Sequence, residues 1–130
     1  MGGGKVKLAD FGISKAVSGG NVLNVSKMGT PIYASPEVLR KQPFDFKIDI
    51  WALGCIVHYI ASLEIPFSTK QLDKSPNRKN QAFSPKQILE EQILSSTPKM
   101  IPDFYSNYLQ MIINRLLNKN PNERPSSDEL

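Results

Sequence analysis

The sequence predicts a mainly α-helical fold with one short β-hairpin remnant at its N-terminus, on three observations. A long, almost uniformly apolar helix is expected from Ile48 to Leu63. Ser84-Pro85-Lys86-Gln87 forms a capping box with proline at the first helical position, and Leu109, Ile112, Ile113, Leu116 and Leu117 recur as one helical stripe. Only Lys5 to Ala9 alternates in the manner of a strand.

Taken in order, Val6 and Leu8 alternate with lysines after the glycines at the start, which suits a short strand over Lys5–Ala9. From Gly12 to Met28 no period is sustained and glycine, serine and asparagine recur, so a long loop is expected, and long ordered loops are usually functional. Ser35 before Pro36 supplies a helix cap and a first-turn proline, opening a short helix through Arg40. In the Ile48–Leu63 helix, Leu53, Ile56, Val57 and Ile60 fall at helical spacing, while Ile50, Trp51 and Cys55 widen the apolar surface almost all round. Such a helix belongs in the middle of a core. His58 within it is expected to be a hydrogen-bonded core histidine rather than a ligand.

Residues 68–84 are polar and include Pro76, and read as an extended surface loop. The capping box at Ser84 starts a helix to Leu94, and Pro121 marks the end of the Leu109–Leu117 helix. Ser126 and Glu129 form another capping box, but the sequence stops at Leu130 before that helix could complete a second turn.

With 40% apolar and 22% charged residues in 130, one soluble globular core is expected. The longest nearly apolar stretch, Ile50–Ala61, is interrupted by His58 and is too short to span a membrane. Cys55 is the only cysteine, so no internal disulfide can form, and with one histidine a transition-metal site has no support. The net charge of +4 comes largely from Lys70, Lys74, Arg78 and Lys79 and from lysines near the start. No aromatic residues interleave these positions, so a solvated loop is expected rather than a nucleic-acid surface. The start carries no secretion or myristoylation signal, and a cytoplasmic or nuclear location fits.

Four stretches carry chemistry. Asp10-Phe11-Gly12 follows the strand directly; Gly29-Thr30-Pro31-Ile32-Tyr33-Ala34-Ser35-Pro36-Glu37 comes at the distance an activation segment requires; Asp49-Ile50-Trp51-Ala52-Leu53-Gly54 opens the long helix; and Asn120-Pro121-Asn122-Glu123-Arg124-Pro125 lies near the end. A lone Asp-Phe-Gly is weak, since a strand ending in an aspartate turn is common. In this order and spacing the four resemble the protein-kinase family over Lys5–Leu130, specifically the helical C-terminal lobe of a eukaryotic-type serine/threonine kinase. The endings Ser-Pro-Glu and Gly54-Cys55-Ile56 resemble the NIMA-related kinases most.

The resemblance implies a partial kinase domain over 1–130: a strand at 5–9, an activation segment at 10–37 and a helical lobe at 38–130, truncated in its last helix. Asp10 would hold Mg2+ on the ATP phosphates, a task suited to a carboxylate because magnesium is a hard cation; Phe11 would set active or inactive packing and Gly12 the turn. Gly29, Thr30 and Tyr33 would form the substrate platform, with Thr30 marking serine/threonine specificity and Ile13 a threonine preference. Ser26 lies where relatives carry an activating phosphate, within reach of Lys15 and Lys27. Asp49 would bond the catalytic-loop backbone, Glu37 would pair with Arg124, and Trp51 and Gly54 would be structural.

The glycine-rich loop, strand lysine, orienting glutamate and catalytic loop do not precede Asp10 in this sequence. The chain therefore carries no catalytic base, is expected to be inactive alone, and should expose apolar surface. The resemblance implies protein substrates with serine or threonine acceptors, and nothing in the sequence bears on oligomeric state. A second possibility is a noncatalytic interaction module that uses the Pro85–Leu94 helix and the loop before it.

Overall fold

The computed structural model describes residues 31–68 and 83–130. The expected strand at Lys5–Ala9, the Gly12–Met28 loop and most of the 68–84 loop lie outside the described residues. Those described are helical, with no strand among them, as the mainly α expectation requires.

A 3-10 turn over Pro31–Tyr33 leads to α1 (Pro36–Leu39), α2 (Lys47–Ser62), α3 (Pro85–Ser95) and α4 (Asn107–Leu116), and short 3-10 turns follow at Pro121–Glu123 and Ser127–Glu129. Helix α3 begins as the capping box requires. The Ser84 hydroxyl accepts from the Gln87 N–H at 3.3 Å while the Gln87 side-chain oxygen Oε1 accepts from the Ser84 N–H at 2.9 Å, satisfying two donors of the first turn. The Ser106 hydroxyl caps α4 by accepting from the Leu109 N–H. The last turn departs from a full helix: the Glu129 N–H donates to the Ser126 carbonyl at 3.1 Å, closing a single 3-10 turn, and the Glu129 carboxylate accepts from the Ser126 N–H at 2.6 Å.

Helix α4 ends at Leu116, before Pro121, because Leu117 leaves helical geometry; Pro121 opens the following 3-10 turn, capped by the Asn120 side chain on the Asn122 N–H. At Ser35 the expected cap is met only in backbone conformation. Its side chain makes no capping bond, and its Oγ is buried without a hydrogen-bond partner.

Helix α2 lies at the centre, packed against α4. The core joins Trp51, Cys55 and Ala61 of α2 to Phe67, to Leu89 and Ile93 of α3, to Ile101, and to Ile113 and Leu117 at α4. The centrality of α2 was expected; the face it buries was not. Ile50, Trp51, Gly54, Cys55, His58 and Ala61 are buried, whereas Leu53, Ile56 and Ile60 are 38%, 46% and 69% exposed, and Val57 is partly buried.

The reason is steric. A Cβ on Gly54 would stand 2.8 Å from the Leu116 Cβ and 2.9 Å from the Leu117 Cδ2. Close approach of two helices selects the side of α2 carrying Gly54, Cys55 and Ala61, because bulky side chains would hold the backbones apart. Leu53, Ile56 and Ile60 are left exposed, as are Tyr59 and Leu63, the latter 78% exposed. Leu63 ends α2 in the left-handed region at φ 56, reversing the chain towards Phe67.

Candidate functional site

The end of the 29–37 stretch and the Asn120–Pro125 turn meet at one buried ion pair. Pro36 fixes the first helical φ of α1 behind the extended Ser35, which turns Glu37 inward in the first turn. On the other side, Asn118, Asn120 and Pro121 fold the chain after α4 into a 3-10 turn that delivers Arg124 to the same place. Glu37 is 3% exposed and Arg124 2%.

The contact is bidentate: Arg124 Nη1 donates to Glu37 Oε1 at 2.7 Å and Nη2 to Oε2 at 2.8 Å. Arg124 Nη1 also donates to the Lys47 carbonyl at 3.0 Å and Nε to the Asn118 carbonyl at 2.8 Å. Four of the five N–H groups of a guanidinium are thereby used. Lys47 completes the loop by donating its ammonium to the Arg124 carbonyl. Burial pushes the Glu37 carboxyl up, but the Arg124 hydrogen bonds and positive charge outweigh it and hold the group below its ordinary 4.5. One arginine so ties α1, the first turn of α2, the end of α4 and the last turn together.

Trp51 forms the floor of this junction. Its ring is fully buried, lies 5.1 Å from the Arg124 guanidinium carbon and stacks on Phe67 with centroids 5.7 Å apart and planes 2° from parallel. Trp51 Nε1 is buried without a hydrogen-bond partner. Over the same pair of rings sits a second cation that sequence reasoning passed over. The Lys119 ammonium is 4.0 Å from the Phe67 centroid and 5.2 Å from that of Trp51, and donates to the Ile93 carbonyl in the last turn of α3. Burial pushes its pKa down to about 8, and the charges of Arg40 and Arg124 push the same way. A lysine among polar residues reads as solvated; its position between the helix-ending Leu116-Leu117 and the Asn120-Pro121 turn was the available signal.

Of the other residues singled out from sequence, Tyr33 is half exposed in the Pro31–Tyr33 turn and Asp49 is exposed in the first turn of α2, where a negative charge suits the helix N-terminus. Gly54 sits at the α2–α4 approach. Asp10, Phe11, Gly12, Ser26, Gly29 and Thr30 lie outside the described residues. Among the described residues there is no group of three or more His, Cys, Asp or Glu side chains that could hold a metal ion. Burial pushes the Cys55 thiol up to about 12, which removes it as a nucleophile near neutral pH. No described helix is long and apolar enough to cross a membrane.

A family model described as "Protein kinase domain" matches residues 2–130. The chain is 35% identical over 127 residues to the mouse serine/threonine-protein kinase Nek3, covering 98% of this chain and 22% of that protein. It is 39% identical over 126 residues to zebrafish serine/threonine-protein kinase Nek8, covering 96% of this chain and 16% of that protein. Against human serine/threonine-protein kinase Nek11 the identity is 33% over 127 residues, covering 96% of the chain and 17% of that protein. The chain thus spans less than a quarter of the length of each of these relatives.

Proposed function

Because the chain belongs to the protein kinase family, in its NIMA-related branch, we propose that it is part of a protein that transfers phosphoryl groups from Mg-ATP to serine or threonine side chains of protein substrates. The observation that carries this reading is the buried Glu37–Arg124 pair, which anchors the end of the 29–37 stretch to the end of the Pro121–Glu123 turn. A substrate platform must be held rigidly, since phosphoryl transfer depends on positioning and electrostatic stabilisation by several groups at once. The pair holds the residues following Gly29, Thr30 and Tyr33 in one geometry, and its two partners lie 87 residues apart in sequence.

Magnesium, where bound, would neutralise charge on the ATP phosphates, and Asp10 is the residue of this chain proposed to hold it. Thr30 is proposed to orient the serine or threonine acceptor, and Ser26 to carry an activating phosphate. Lys15 and Lys27 alone would hold that phosphate weakly, by about 1 kcal/mol or less, as exposed pairs do. The 130-residue chain by itself is proposed to be inactive, and a cytoplasmic or nuclear location is proposed with it.

Phosphate transfer to a serine-rich generic acceptor, measured for the complete protein and for this chain, tests the reading. Transfer to serine and threonine by the complete protein, loss to background with Asp10→Asn and a decrease with Ser26→Ala are expected. Undiminished transfer by Asp10→Asn would overturn the metal role, and no transfer by the complete protein would overturn the activity.

A further inference from the structure

His58 is the only histidine of the chain, it is 0% exposed, and both of its ring nitrogens face backbone carbonyls. Nδ1 is 3.0 Å from the Glu64 carbonyl oxygen and Nε2 2.9 Å from that of Lys99. A neutral imidazole has one N–H and cannot donate to both; the imidazolium can.

The two carbonyls belong to the two ends of one excursion of the chain. Glu64 follows α2 and Lys99 precedes Ile101; between them run the polar loop and α3. The same ends are joined by the Lys99–Glu64 ion pair at 2.6 Å and by the Lys99 N–H donating to the Pro66 carbonyl at 3.0 Å. We propose that His58 is a proton-operated clamp that pins the two ends of the 64–99 excursion, and with them α3, to the end of α2.

Ser62 supplies the second state. Its hydroxyl is 3.2 Å from His58 Nδ1, 2.8 Å from the His58 carbonyl oxygen and 3.1 Å from the Glu64 carbonyl oxygen. With the ring doubly protonated, Nδ1–H donates to Glu64, Nε2–H donates to Lys99, and the Ser62 hydroxyl donates to a carbonyl. When the Nδ1 proton leaves to solvent, the Ser62 hydroxyl rotates to donate to Nδ1, Nε2–H keeps Lys99, and the Glu64 side of the clamp loses its bond.

Among the described residues, two charged side chains flank the carbonyls that meet the ring. The segment after α2 brings the Glu64 carboxylate and the segment before α4 the Lys99 ammonium, and these pair with each other. From α4 the side facing α2 carries Ile113, Leu116 and Leu117, and α3 turns Leu89 and Ile93 to the core. On α2 itself the buried Cys55 thiol lies one turn away.

The sign follows from the bond count. The doubly protonated ring makes both bonds and the neutral ring only one, so clamping is complete while both ring nitrogens carry protons.

A single histidine makes the test direct: long-range proton–nitrogen spectra of the 15N-labelled 130-residue chain, recorded from pH 5 to 9. Two protonated ring nitrogens at the acid end are expected, with Nδ1 alone losing its proton as pH rises. Over the same range the Lys99 amide, whose acceptor Pro66 lies on the released Glu64 side, should exchange roughly 2- to 10-fold faster after correction for intrinsic exchange, the loss of about one hydrogen bond. Ser62→Ala removes the partner of the neutral state, so the Nδ1 proton should persist to higher pH. His58→Gln should abolish the pH dependence at Lys99. One unprotonated ring nitrogen at every pH, a Ser62→Ala titration that does not move upward, or Lys99 protection insensitive to pH would each overturn the clamp.

Discussion

Two cations approach the ring of Trp51, and the protein treats them differently. Arg124, 5.1 Å from the ring, has a bidentate carboxylate and two carbonyls. Lys119, 5.2 Å from it, has one carbonyl and the faces of two rings, and among the described residues no carboxylate pairs with it. The planar guanidinium presents donors in a fork that a carboxylate and several carbonyls can fill together, so its charge is fully compensated without water. The ammonium is a compact, strongly hydrated point charge, and burying it without an anion makes its proton easier to lose. A charge that is expensive to strand is therefore set beside one that the fold can discard.

The largest test of this contrast is Arg124→Ala, which leaves Glu37 as an unpaired buried carboxylate and should destabilise the chain by about 3 to 5 kcal/mol. Such a loss is a large part of the total stability of a domain. Replacing Glu37 and Arg124 together by alanine should be milder than the single change, as chemical denaturation would read; an equal or greater loss would mean that the pair is not the coupled unit described.

Both cations hang from the segment that follows α4, so forcing α2 and α4 apart should disturb both. Gly54→Ala puts a methyl group 2.8 Å from the Leu116 Cβ and should cost about 1 to 3 kcal/mol by overpacking. An unchanged melting temperature would show that the helices separate freely.

Lys119 sharpens the contrast through pH. Its folded value of about 8 lies below the 10.5 of an unperturbed lysine, so between these values the unfolded chain holds the proton and the folded chain does not. Stability should rise with pH across that window, by at most about 1.4 kcal/mol per unit and by less where water screens the ammonium. Glu37 acts at the other end: its depressed carboxyl contributes stability that is lost as pH falls below its ordinary 4.5. The smallest effect belongs to Lys119→Met, which fills the space over the rings without a charge and should change stability by less than about 1 kcal/mol. That variant should also lose the alkaline rise seen in denaturation from pH 8 to 10.5.

Local chemistry was legible from the residues themselves. The capping box at Ser84 and Gln87, the apolar stripe of α4 and the fully apolar character of α2 each follow from side chains within a few positions of one another, which a linear pattern records. The partnership of Glu37 with Arg124 was also readable, though only through resemblance to a family, since no local rule joins positions 87 residues apart. What tertiary structure decided was which side of α2 faces inward. Hydrophobicity alone favoured Leu53, Ile56 and Ile60, but α4 approaches so closely over Gly54 that the side of α2 carrying Gly54 faces inward and Leu53, Ile56 and Ile60 are left exposed. Tertiary structure likewise decided the fate of the cations: nothing in the order of residues says that Lys119 lies over two stacked rings or that both nitrogens of His58 meet carbonyls from distant turns. Whether a charge is solvated or buried depends on what packs around it, and that is settled only when the helices come together.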